Sequence, residues 1–147
     1  RDKQICLVGS EMCIRDSIRT GQAVYVYNTH WDHISQPSRE KSAVLTLEKI
    51  RTRKHPETPV LLMGDFNANT ENKAIKTLLA SGILTDPGKK QFSTSSKWQA
   101  PLLPGLRIDH IFVSKHWENC TVTVESNGKP AAASDHHPVV LAGALPK

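Results

Sequence analysis

Pro59-Val60-Leu61-Leu62-Met63-Gly64-Asp65-Phe66-Asn67 decides how this chain is read. Its first five residues are a continuous apolar run, as expected of a strand buried on both faces. The run stops at a glycine and passes at once to a carboxylate and an amide. In α/β proteins ligand sites gather at strand ends, where loops hold polar groups on a rigid platform. Taken alone, Gly64 to Asn67 could equally be a strand-to-helix turn in which Asp65 and Asn67 bond backbone amides. Its weight comes from its neighbours.

Upstream, Gln22 to Asn28 is β-branched and aromatic and predicts a strand. Ser35 to Lys54 predicts an amphipathic helix, with Pro37 suited to its first turn and Ala43, Val44, Leu47 and Ile50 as one apolar stripe. Downstream, Thr70 is the expected cap of a second helix running to Ala80, with Ala74, Ile75, Leu78 and Leu79 inward and Gly82 at its stop. Pro87-Gly88 turns into a polar stretch ending near Pro104. Leu106 to Val113 and Cys120 to Glu125 predict two more strands joined around His116-Trp117, Ser126-Asn127-Gly128 begins another loop, and Pro138 to Leu141 predicts the last strand. Strands alternating with helices, followed by strands in sequence, give an α/β chain with a mixed sheet. Val24, Val26, Leu62, Ile111 and Val139 are expected to share one face of that sheet.

The chain has 147 residues, enough for one modest domain with a real core. No apolar run approaches the ~20 residues a helix needs to cross a bilayer. Three cysteines, Cys6, Cys13 and Cys120, are too few and too scattered for a disulfide framework or a zinc knuckle. A formal charge of +5 favours anionic partners without naming one.

Each of four expected strands meets a cluster of acid, amide or imidazole groups. Asn28-Thr29-His30-Trp31-Asp32-His33 follows the first, and Gly64-Asp65-Phe66-Asn67 the second. Arg107-Ile108-Asp109-His110 opens the third, and Ser134-Asp135-His136-His137 precedes the fourth. Carboxylate and amide oxygens suit a hard cation such as Mg²⁺, which retains waters for a phosphate. Imidazoles beside it suit acid–base work near neutral pH. Asp109 sits inside an apolar strand, where a buried carboxylate must find a partner. His33, His110 and His137 have no derivable role and read as surface groups, and Trp31 reads as packing.

In this order, NTH, GDFN, RIDHIFVS and SDHHPV resemble the endonuclease/exonuclease/phosphatase family over residues 22 to 143. The resemblance implies a two-sheet α/β sandwich with flanking helices, of which this chain is the C-terminal half. It implies hydrolysis of phosphate esters by water attack on phosphorus, dependent on Mg²⁺ or Mn²⁺, with nucleic acid or a small phosphoester as substrate. Residue by residue, His30 matches a phosphate-contacting histidine and general acid. Asp65 and Asn67 match the pair that positions water and phosphate, Asp65 also lying close to the metal. Asp109 matches the carboxylate that orients His136, Asp135 a metal-binding acid, and His136 a general base or phosphate clamp. The metal-binding Glu and the Asn of the family's first half have no counterpart here, so the 147-residue chain by itself is expected to be a fragment without phosphoesterase turnover. The basic and aromatic stretch with Lys89, Lys90, Lys97 and Trp98 is the expected specificity loop.

Arg1 to Ser17 reads unlike the rest, and CLVGSEMCIRDS resembles a translated sequencing adapter. Residues 1–17 are therefore expected to be foreign, and 18–147 the C-terminal part of the domain. Two other readings compete with this one. A catalytically inactive module that binds a phosphorylated ligand or a partner would not need both Asp109 and His136. A serine hydrolase would need a Gly-x-Ser-x-Gly elbow, which is absent.

Overall fold

A computed structural model describes residues 10–16, 22–88, 107–125 and 134–145. The order is β1 (Ser10–Asp16), β2 (Ala23–His30), α1 (Gln36–Arg51), β3 (Val60–Asp65), α2 (Lys73–Ala80), β4 (Leu84–Thr85), β5 (Asp109–Ser114), β6 (Glu118–Val124) and β7 (Val139–Ala144). Five strands form a sheet in the order β1-β2-β3-β5-β4, and β6 pairs with β7 in a second sheet. The β2-α1-β3 unit is parallel, and β5 returns antiparallel to β3. This is the expected mixed α/β architecture. The expectation that all strands from Gln22 onward share one sheet is corrected, because among the described residues β6 and β7 pair only with each other, with an irregularity between Glu118 and Thr121.

The segment Ser10–Asp16 lies antiparallel along β2. Adding a strand to an edge uses main-chain groups that any sequence carries. The apolar run from Ile5 to Val8 lies outside the described residues, as does the stretch from Lys89 to Pro104.

Register sets which side chains meet. Tyr25 pairs with Val60 and Tyr27 with Leu62, and Leu62 pairs in turn with Phe112. These five are buried with Ala43, Leu47 and Ile50 of α1 and Ala74, Ile75 and Leu78 of α2 in one cluster. Leu62 therefore faces the helices. The opposite face carries Val24, Val26, Leu61, Met63, Ile111 and Val113, so Leu62 was expected on the wrong side and Val139 belongs to the other sheet. Val44 also departs from its expected stripe and is exposed.

Both helix starts are fixed by side chains. Ser35 caps α1 by accepting the Ser38 N–H, with Pro37 in the first turn. Asn72, two residues past the expected Thr70, caps α2 by accepting the Ala74 N–H. Gly82 follows α2 at φ +69°, where a side chain would be strained.

Candidate active site

The strand register lines up three of the sequence-derived residues. His30, the last residue of β2, pairs with Asp65, the last of β3, and Asp65 pairs with Asp109, the first of β5. Because side chains alternate along a strand, residues paired across adjacent strands point to the same face. His30, Asp65 and Asp109 thus form a row across the sheet at one edge of its inner face. His136, from the segment preceding β7, completes the group. Its Nδ1 lies 2.7 Å from Asp109 Oδ2 and its Nε2 3.9 Å from Asp65 Oδ2. His30 Nε2 lies 3.5 Å from the same Asp65 oxygen.

Local chemistry explains each placement. A Cβ on Gly64 would lie 1.8 Å from the Thr29 carbonyl oxygen, so only glycine lets β3 approach β2 before Asp65. The Asn67 N–H donates to Asp65 Oδ1 at 2.8 Å, closing a tight turn. Asn67 itself sits at φ +46°, a conformation asparagine tolerates better than most residues. Its Nδ2 donates to the Trp31 carbonyl at 2.8 Å, which orients the amide. Trp31 is buried and meets Phe66 edge-on, so its expected packing role holds.

Charge is unevenly shared. Asp65 has its pKa raised: burial is the largest cause, the Asn67 N–H and the two imidazoles oppose it, and the Asp109 charge adds to it. Burial alone would lower His136. The Asp109 hydrogen bond and the charges of Asp109, Asp65 and Asp135 outweigh that, and its pKa is raised. The imidazole is thereby biased toward its charged form, and the carboxylate facing it toward its neutral form.

Asp65, Asp109 and His136 bring their ligand atoms within 4.8 Å of one another, the grouping among the described residues that could hold a metal ion. Asp135, expected as a metal acid, is exposed and outside that group, although its charge reaches His136. Asp109 was expected only to orient the histidine; its register opposite Asp65 gives it a second possible use. His33 is exposed, as expected. His110 is not a surface residue: it is 1% exposed, stacks on Phe112, and places Nε2 2.7 Å from the Ala68 carbonyl oxygen. Alternation along β5 carried that signal, since Asp109 toward the site turns His110 toward the helices.

With this geometry in view, the similarity to known proteins is specific. The sequence pattern of the Endonuclease/Exonuclease/phosphatase family matches residues 6–136, and the chain belongs to that family. Among curated proteins no match is found. Several solved structures share the fold. An endonuclease/exonuclease/phosphatase from Bacteroides vulgatus is 24% identical with a TM-score of 0.79, covering 93% of this chain and 55% of that one. A mannosyl-6-phosphatase from Bacteroides thetaiotaomicron is 24% identical with a TM-score of 0.77, covering 92% and 57%. A Staphylococcus aureus beta toxin with bound magnesium ions is 20% identical with a TM-score of 0.65, covering 95% and 58%. The chain thus spans little more than half the length of these relatives.

Proposed function

We propose that this chain carries the C-terminal part of the site of a divalent-metal-dependent phosphoesterase, a phosphatase or nuclease that cleaves its substrate by water attack on phosphorus. The observation that carries this reading is the Asp109–His136 pair at 2.7 Å, with the imidazole's other nitrogen turned toward Asp65. Family membership supports phosphoester chemistry in general.

In this reading Asp109 accepts the Nδ1–H of His136. That fixes the tautomer and leaves Nε2 toward the site, where its protonated form binds a phosphate oxygen. Asp65 and Asn67 hold the attacking water. Asp65, whose affinity for a proton is raised, takes one proton as the water oxygen bonds to phosphorus. The ester P–O bond breaks, and the departing oxygen is protonated by His30, which is 70% exposed and so open to a bulky leaving group.

The donor set fits Mg²⁺ or Mn²⁺. Two partly buried carboxylates face each other, and burial, with the Asp109 charge added to it, already pushes Asp65 toward its neutral form, a cost a cation would offset. Asp65 and Asp109, whose oxygens lie in the group within 4.8 Å, are the residues that would hold it, in place of the exposed Asp135. When bound, the ion would neutralise charge on the phosphate and lower the pKa of water.

The test, on this chain completed with the first half of the domain, is turnover of bis-p-nitrophenyl phosphate, a sugar phosphomonoester, plasmid DNA and a single-stranded oligonucleotide, with this chain alone expected to show none. Turnover with Mg²⁺ that stops with EDTA and drops about 10²–10⁴-fold in Asp65→Ala supports the reading. Turnover that survives chelation removes the metal. Phosphate-ligand binding with no turnover on any substrate would make the chain a binding module.

A further inference from the structure

Two connections leave the strand ends that carry His30 and Asp65: residues 31–35 after β2 and residues 66–72, with Asn67, after β3. They are tied at two matched points. Asn67 Nδ2 donates to the Trp31 carbonyl, a link across 36 positions of sequence. Five residues further on in each connection, Gln36 and Asn72 join side-chain amides, again 36 positions apart. The Asn72 Nδ2 donates to Gln36 Oε1 at 2.8 Å, and the Gln36 Nε2 donates to Asn72 Oδ1 at 3.1 Å. Reciprocal amide pairs fix both distance and orientation, because each side chain is donor and acceptor at once.

The pair is itself held. Arg39 donates from Nε and Nη2 to Gln36 Oε1 at 3.3 and 2.9 Å, and from Nη1 to the Asp32 carbonyl at 2.8 Å. Glu40 Oε1 accepts the Gln36 Nε2, and Glu40 Oε2 pairs with Lys73 Nζ at 2.9 Å. Asn72 also caps α2 through Ala74. The network is part-buried, and none of its side chains belongs to the candidate site. Its placement gives both connections the same span, from the Trp31–Asn67 link to the two helix starts.

We propose that Gln36 and Asn72 are positioning residues that set the separation of the two connections leaving His30 and Asp65, and so orient Asn67 relative to both. The inference rests on the phosphoesterase reading for its consequence but not for its geometry. Asn72→Ser keeps an efficient helix cap with a side chain too short to reach Gln36. Gln36→Ala breaks the same pair from the other side without touching the cap.

The experiment follows the side-chain NH₂ signals of Asn67 in ¹⁵N–¹H spectra, together with kcat and KM on bis-p-nitrophenyl phosphate with Mg²⁺. Both variants should shift the Asn67 signals alike, with the double variant no different from either single one. Turnover should fall about tenfold in kcat with KM within twofold, since about 1.4 kcal/mol of misplacement is a factor of ten. A merely structural pair would lower melting temperature and leave the Asn67 signals and kcat per folded molecule unchanged, which overturns the proposal. Turnover is read on the domain completed with its first half; if that shows none, the function reading fails, while the Asn67 signals of this chain still decide the clamp.

Discussion

Asp109 Oδ2 and His136 Nδ1 lie 2.7 Å apart although 27 residues separate them, and the hydrogen bond leaves the imidazole's Nε2 facing Asp65. A pair that acts as one unit predicts strong non-additivity. Asp109→Asn and His136→Ala should each lower kcat by about 10²–10⁴-fold, and the double variant should be little worse than the worse single one. Multiplicative losses in steady-state kinetics would show the two residues working separately.

How much of this was legible depended on distance along the chain. The β2-α1-β3 unit was readable because its signals are local: a strand pattern, a capped amphipathic helix, an apolar run. His30, Asp65 and Asp109 were readable as strand-end polar residues, and the register places them in one row. The separate β6–β7 sheet was not readable, since which strands pair is fixed by packing between distant segments rather than by any one of them. Leu62 and Val44 failed for a related reason. An apolar run gives no parity, so the face of Leu62 awaited its partners Tyr27 and Phe112. Val44 lies at the edge of the α1 stripe, where one step of 100° decides exposure. Thr70 was the cap expected from sequence, whereas it is Asn72, two residues on, whose side chain accepts the Ala74 N–H.

His110 should make the stability of the chain depend on pH. Burial, reinforced by the Arg107 charge, pushes its pKa down from 6.5 to about 4. Above pH 6.5 it is neutral in both folded and unfolded states and contributes no slope. As pH falls from there to about 4, the unfolded chain takes up a proton that the folded chain refuses, so stability is lost. The loss should be ~1.4 kcal/mol per pH unit, up to about 3 kcal/mol in all. Urea unfolding at pH 7 and pH 5 should show a steeper fall in wild type than in His110→Phe, whose ring suits the aromatic contacts with Phe66 and Phe112. Equal slopes would mean that other groups govern the acid limb.

A buried ion pair lies two residues before the site. Arg107 Nη2 meets Asp86 Oδ2, with side chains 3% and 4% exposed, while Asp86 Oδ1 accepts the Gly88 N–H. Removing one partner strands the other charge away from water. Asp86→Asn should therefore cost ~3–5 kcal/mol, and Asp86→Leu with Arg107→Met should cost less than the sum of its singles. A denaturant-based double-mutant cycle measures the coupling. An Asp86→Asn cost within ~0.5 kcal/mol of zero would show that the pair is solvated in solution.

The sharpest contrast is between two glycines. Gly64 has φ +142°, and an added Cβ would lie 1.8 Å from the Thr29 carbonyl oxygen and under 3 Å from two more Thr29 backbone atoms. No rotamer change relieves such a clash, because backbone meets backbone. Gly82 has φ +69° with nothing within 4 Å of an added Cβ, so alanine there meets only the left-handed backbone penalty. Gly82→Ala should cost ~1–2 kcal/mol and leave turnover per folded molecule unchanged. Gly64→Ala should push β3 from β2 where Thr29 pairs with Gly64 and His30 with Asp65. Its stability loss should exceed ~4 kcal/mol, an exceptional range that overpacking and backbone strain can reach. Any folded fraction should have lost the His30–Asp65 approach, and with it the turnover. Thermal melts of the two variants, read beside kcat, separate the cases; a Gly64→Ala protein as stable and active as Gly82→Ala would contradict the close packing of β2 on β3.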